Sequence, residues 1–234
     1  MATLHASYTD EPLFPVGWEP DAAALLEHTH LVCDDPAESE RNRFAGRLQS
    51  FLASQRGCTV APIYGRYAGT LDDFCHQLER IIPTTRLDRR VHGLHGVTSA
   101  LRRRSQGSGR VLARSRYLIW SDADHCLRAD AGLFAELIDA IMGVAAEAEF
   151  CSEEPLMIQR VVLVGGPALA ELARDPAGPL RAWRTDLAGV PFWRVLTGLS
   201  EPPIERRSIA DIVAGRAHLA IDEQIDRLAR SGSF

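Results

Sequence analysis

The chain predicts an α/β fold with a mostly parallel sheet flanked by helices, and two observations carry that reading. Short strand-like apolar runs alternate with longer segments whose apolar residues recur at helical spacing. Strands and helices alternating at these lengths imply right-handed crossovers and a sheet covered on both faces. A length of 234 residues with 46% hydrophobic and 24% charged content supports a real core, as expected for one large domain with a trailing segment.

The elements follow in order. Residues 21–28 predict a short helix and 31–33 a first strand, entered by Thr29 and His30. Residues 43–55 place Phe44, Leu48, Phe51 and Leu52 on one helical face, and Gly57 stops it. Residues 58–64 form the second strand. Thr70 caps the next helix, with Asp72 and Asp73 in its first turn, a stripe of Leu71, Phe74, Leu78, Ile81 and Ile82, and Pro83 as its end. A further helix covers 95–104, a third strand 116–120, a long helix 131–148 with a wide apolar face, and a fourth strand 157–164. Ser208, with Asp211 three residues on, opens a terminal amphipathic helix or helix pair carrying Ile209, Ile212, Val213, Ile221, Ile225 and Leu228. The organisation read from this is an N-terminal extension at 1–20, an α/β core at 21–174, and a Pro/aromatic and helical segment at 175–234.

Composition excludes several chemistries. No lysine occurs, so Schiff-base chemistry, a lysine base and a phosphate-loop lysine are all ruled out, because arginine stays protonated. The five cysteines (Cys33, Cys58, Cys75, Cys126, Cys151) are odd in number and scattered, which suits reduced core thiols. No stretch approaches the roughly 20 consecutive apolar residues of a membrane helix, and the first residues lack a basic region followed by an apolar run. A cytoplasmic protein without membrane contact is the expectation.

Three segments then come into register. After Leu31-Val32-Cys33 runs Asp34-Asp35-Pro36-Ala37-Glu38-Ser39-Glu40-Arg41, with the length of a phosphate-binding loop leading into a helix. The third strand ends in Tyr117-Leu118-Ile119-Trp120-Ser121-Asp122-Ala123-Asp124, and the fourth in Val161-Val162-Leu163-Val164-Gly165-Gly166. In this order the chain resembles the core of P-loop ATPases of the AAA+ type over residues 22–174, which implies a P-loop NTPase-like three-layer sandwich. Against a Walker A pattern, Asp34 stands at the first glycine, Ser39 at the second, Glu40 at the lysine and Arg41 at the Ser/Thr. Bare amides and a cation would cradle a polyanion there, whereas Asp34, Asp35, Glu38 and Glu40 repel phosphate; the same carboxylates suit a helix N-terminus. Against Walker B, Ser121 takes the metal-holding place and Asp122 that of the water-activating glutamate. Asp122 and Asp124 also read as turn or cap residues. The fourth strand ends in glycines where the family has a polar sensor. The resemblance therefore implies a degenerate, hydrolysis-dead member: no catalytic residue, or Asp122 alone if the protein is active, with no cofactor.

A metal site is the rival chemistry. His92 and His95 lie three apart, and Asp122, Asp124, His125 and Cys126 cluster after the third strand; these are ligand types for zinc, though nothing in the sequence joins the two groups, and no metal is expected.

Charge is polarised. Nine arginines between 86 and 116 stand against one acid, a local balance of +8 within a chain of net −5. Arg102, Arg103, Arg104, Arg110 and Arg114 are the candidate contacts for phosphates or for an acidic protein surface. Between 175 and 203 lie five of the thirteen prolines with Trp183, Phe192 and Trp193; Trp183 and Trp193 either pack on the sheet or anchor an interface. The reading is a binding or regulatory protein acting through protein contacts, its partner another ATPase-like subunit or a second copy. A divergent nucleotide hydrolase and a nucleic-acid binder using residues 86–116 are the alternatives.

Overall fold

The structure, a computed structural model, describes residues 17–81, 91–102, 115–150, 160–175, 178–180 and 204–215. Its elements run α1 (Trp18–His28), β1 (His30–Asp34), α2 (Glu38–Ser54), β2 (Cys58–Tyr64), a 3-10 turn (Gly65–Tyr67), α3 (Leu71–Ile81), α4 (Gly93–Arg102), β3 (Ser115–Ser121), α5 (Ala123–Ala129), α6 (Ala131–Phe150), β4 (Arg160–Gly165), α7 (Pro167–Arg174), β5 (Ile204–Ser208) and α8 (Ile209–Val213). The five strands form one sheet in the order β2-β3-β4-β1-β5, and every pairing is parallel. The expected α/β class with a helix-flanked parallel sheet is what the chain adopts.

The strand order places the helices. The step from β1 to β2 crosses the sheet one way, while β2, β3 and β4 step back the other way, so right-handed crossovers put α2 on one face and the later helices on the opposite face. Alternation along each strand follows suit. Leu31 and Cys33, Tyr117 and Ile119, and Val162 and Val164 pack with Phe44, Leu48 and Leu52 of α2, Leu25 and Leu26 of α1, and Ile209 and Ile212 of α8. Val32, Leu118, Trp120, Val161 and Leu163 face the second core, where Phe74, Phe134, Leu137 and Ile138 meet them. Trp120 sits between Phe74 and Phe134, with ring centroids 5.1 and 5.3 Å away.

Several boundaries differ from the sequence reading, each for a physical reason. Helix α1 starts at Trp18 because that ring stacks on Phe44 at 4.8 Å, drawing part of the expected N-terminal extension into the core. Helix α2 starts at Glu38, five residues early, because a turn at Asp35 ends the loop and acids suit a first turn. Strand β5 has no apolar run to announce it. Its Ile-Glu-Arg-Arg-Ser is held by pairing with β1 and by Arg206 on Asp34, so the sheet recruits residues beyond the expected boundary at 174. Thr70 does cap α3, its Oγ1 accepting from Asp73 N–H at 3.2 Å. Among the described residues no helix is long and apolar enough to cross a membrane.

Candidate functional site

Strands β1 and β4 are neighbours whose outgoing connections leave for opposite faces, α2 on one and α7 on the other. In an open parallel sheet that reversal opens a crevice at the carboxyl ends of the strands, the usual place for a ligand. Here side chains of the chain itself occupy it.

The loop from β1 to α2 is only Asp35, Pro36 and Ala37. Asp35 Oδ1 accepts from Ala37 N–H at 2.8 Å, and Asp35 N–H donates to Gly165 O at 3.2 Å, which fastens the loop to β4. Proline removes one amide from this stretch. The loop is thus short, and the Asp35 and Ala37 amides are already paired within the chain. The residue at the Ser/Thr place, Arg41, turns back over the loop. Its Nη1 donates to Asp35 O at 2.9 Å and Pro36 O at 3.2 Å, and its Nε donates to Asp122 Oδ1 at 3.3 Å. Both partners of that ion pair are buried.

Asp122 is held on every side. It follows β3 with φ 48° and ψ 39°, the left-handed conformation that Asp tolerates better than most residues. Gly65 makes room for its backbone: a Cβ there would lie 2.0 Å from the Asp122 carbonyl oxygen. Arg66, which also pairs with Glu38, stands 3.8 Å from Asp122 Oδ2. Asp124, two residues on, is 1% exposed and pairs through Oδ2 with Arg128. Its carboxylate lies against the end of β4: a Cβ on Gly165 would sit 3.1 Å from Oδ1, and one on Gly166 3.2 Å from Oδ2 and 3.6 Å from Arg41 Nη1. Gly165 and Gly166 thus leave the space that the Asp124 carboxylate fills.

Beside this crevice, on the α2 face, lies a cleft of about 270 Å³. Asn42, Ala45, Gly46 and Gln49 of α2 form one wall, Pro62, Ile119 and Ser121 the floor, and Tyr64, Arg66 and Tyr67 the lip. Asp122 closes its inner end. The two tyrosines are 49% and 67% exposed.

Other expected site residues disperse. Arg102 is the last residue of α4 and exposed, while Arg103, Arg104, Arg110, Arg114, Trp183 and Trp193 lie outside the described residues. Arg116, counted with the basic segment, is buried in β3, where burial lowers its pKa; it belongs to the sheet and not to a docking loop. Of the metal candidates, His92, His95 and His125 are exposed and Cys126 is buried. Among the described residues no group of three His, Cys, Asp or Glu side chains is placed to hold a metal ion. The bond from Arg41 to Asp122, the burial of Asp124 and the cleft escaped sequence reasoning. The signal for the cleft was Tyr64-Gly65-Arg66-Tyr67, two aromatics and an arginine at a strand end; the pairing of Arg41 with Asp122 spans 81 residues and had none.

No family model matches the chain, and no curated protein does. A solved structure of Drosophila ORC bound to DNA resembles it at 14% identity, with a TM-score of 0.37, over 85% of this chain and 31% of that one. The chain thus spans about a third of that protein chain's length.

Proposed function

We propose that this protein is a non-catalytic binding or regulatory protein, in which an ATPase-like α/β core serves as a scaffold for protein contacts. One observation carries the reading: the Arg41 guanidinium is spent on Asp35 O, Pro36 O and Asp122, at the place the resemblance gives to phosphate. A working site keeps its cation and amides free to meet a polyanion. Here the cation satisfies the loop, and the loop carries acids.

The same contacts argue against Asp122 as a water-activating base. Its Oδ1 accepts from Arg41, Arg66 stands off Oδ2, and its backbone is wedged on Gly65, so it acts as an anchor. The partner in this reading is a protein, either another ATPase-like subunit or a second copy, and the core proper is residues 21–174 with β5 and α8 added.

Calorimetric titration with ATP and ADP, with and without magnesium, tests the proposal. The expected result is no binding heat up to millimolar nucleotide. Micromolar binding would overturn it and return the chain to the nucleotide-using class.

A further inference from the structure

We propose that the cleft between α2 and the ends of β2 and β3 is a docking site for a segment of a partner protein, which enters with one bulky, uncharged apolar side chain. The inference rests on the protein-contact reading and gives that contact a place and a chemistry.

Gly46 is the first observation. Glycine inside a helix costs about 1 kcal/mol relative to alanine, and some close neighbour usually requires it. Among the described residues nothing lies within 4 Å of where a Cβ on Gly46 would stand, and its backbone is ordinary helix. What its missing side chain does is keep the α2 wall of the cleft open, between Asn42 and Gln49 on the same helical stripe.

The lip is the second. Tyr64 and Tyr67 are the large apolar residues left exposed among those described, yet their backbones are fixed by one side chain: Gln77 Oε1 accepts from Tyr64 N–H at 2.8 Å, and Gln77 Nε2 donates to Tyr64 O at 3.0 Å and Tyr67 O at 2.8 Å. Exposed rings on a rigid frame lower the ordering cost of binding, and tyrosine with arginine is the composition of interface anchor sites. Gln77 also takes up the hydrogen-bonding groups at the end of edge strand β2, so a partner meets side chains there and not an open strand edge.

Charge selects the occupant. The ionised groups at the mouth are matched among themselves, Arg66 with Glu38 and Arg41 with Asp122, so a charged side chain entering would be left without a counterion. Ala45, Pro62 and Ile119 offer apolar lining, while the carboxamides of Asn42 and Gln49 on the α2 wall can meet a peptide backbone. A cavity of about 150 Å³ holds a benzene ring; one of about 270 Å³ takes a larger aromatic side chain with part of its backbone.

The test is a titration of the full chain, labelled with 3-fluorotyrosine, with N-acetyl-tryptophanamide followed by fluorine NMR. Saturable shifts at Tyr64 and Tyr67 with millimolar Kd are expected, while buried Tyr117 stays still. N-acetyl-argininamide should bind at least tenfold more weakly. Gly46→Leu, which fills open space, should weaken binding at least tenfold without lowering Tm; if it fails to fold, Asn42→Trp on the same stripe serves instead. No saturable shift, equal binding of the arginine amide, or unchanged affinity in the filled variant would overturn the proposal. Indole alone binding as tightly as the capped amide would overturn it in favour of a free aromatic ligand, and shifts that grow with protein concentration alone in favour of a second copy. ATP added to the same sample separates the two readings: an ATP response defeats the scaffold reading, while a silent amide with silent ATP defeats only the docking site.

Discussion

Within β1 the imidazole of His30 takes the place of a carbonyl, its Nδ1 accepting from Val161 N–H at 3.1 Å where the ladder to β4 begins. An acceptor cannot be protonated, and burial, helped by Arg160, lowers the pKa of His30 from 6.5 to about 3. In the unfolded chain the ring takes its proton near 6.5. Stability from this group is therefore complete above about pH 6.5 and falls as pH drops toward 3, because the unfolded state binds a proton the folded state refuses. At pH 5 the folding equilibrium should have lost roughly thirtyfold, about 2 kcal/mol, relative to pH 7.5. Denaturant melts of the wild type against His30→Asn, which keeps an acceptor but does not titrate, should show that difference shrinking in the variant; equal pH dependence would remove His30 from the account. The cysteines read as core thiols fit the same logic: burial raises the pKa of Cys33 and pushes Cys126 up to about 11. Cys33 was legible as buried because it sits in an apolar run, Leu31-Val32-Cys33. Arg41 and Asp122 were not, since a buried charge announces nothing about the partner that makes its burial tolerable.

At the level of elements, the sequence marks those whose signals are local. The apolar run of β2, the Thr70 cap of α3 and the wide apolar face of α6 were all readable, and the structure keeps β2 at Cys58–Tyr64. Helices α5 and α7 escaped because they are short, at seven and eight residues, and follow their strands after a single residue. Strand β5 escaped because its stability is borrowed from β1. The turn between β2 and α3 is the least forgiving element: Gly65 lies against Asp122 and Ser121 backbone, with contacts of 2.0 to 2.7 Å awaiting any Cβ. Backbone cannot step aside as a flexible side chain does. Gly65→Ala is expected to destabilise by on the order of 3 kcal/mol, and to detach Asp122 from Arg41 as the β3 end shifts. The control is Gly69→Ala, four residues away, where a Cβ meets nothing within 4 Å among the described residues and the melting temperature should hold. Equal melting of both variants would show that the Gly65 contact relaxes freely.

Across the whole molecule, the sheet order makes β1 depend on chain far from it. β1 lies between β4 and β5, and the latter comes from beyond residue 200, so the core was legible as a class while its closure was not: pairing of distant strands leaves no local trace. A chain ending at Arg174 would lose β5 and α8 together. It would strip β1 of one neighbour, take Arg206 from Asp34, and uncover the α1/α2 face where Ile209 and Ile212 are 2% and 0% exposed. Burial of an isoleucine is worth about 1.5–3 kcal/mol, so those two alone match a large part of the roughly 5–15 kcal/mol by which a domain is stable. The truncated chain should therefore melt without a cooperative transition, or more than about 10 °C below the full chain, and aggregate through the bared β1 edge. Circular dichroism melts with light scattering on both chains read this directly. A truncated chain that melts cooperatively at the full-length temperature would mean that the sheet closes at β1 and that β5 merely leans on it.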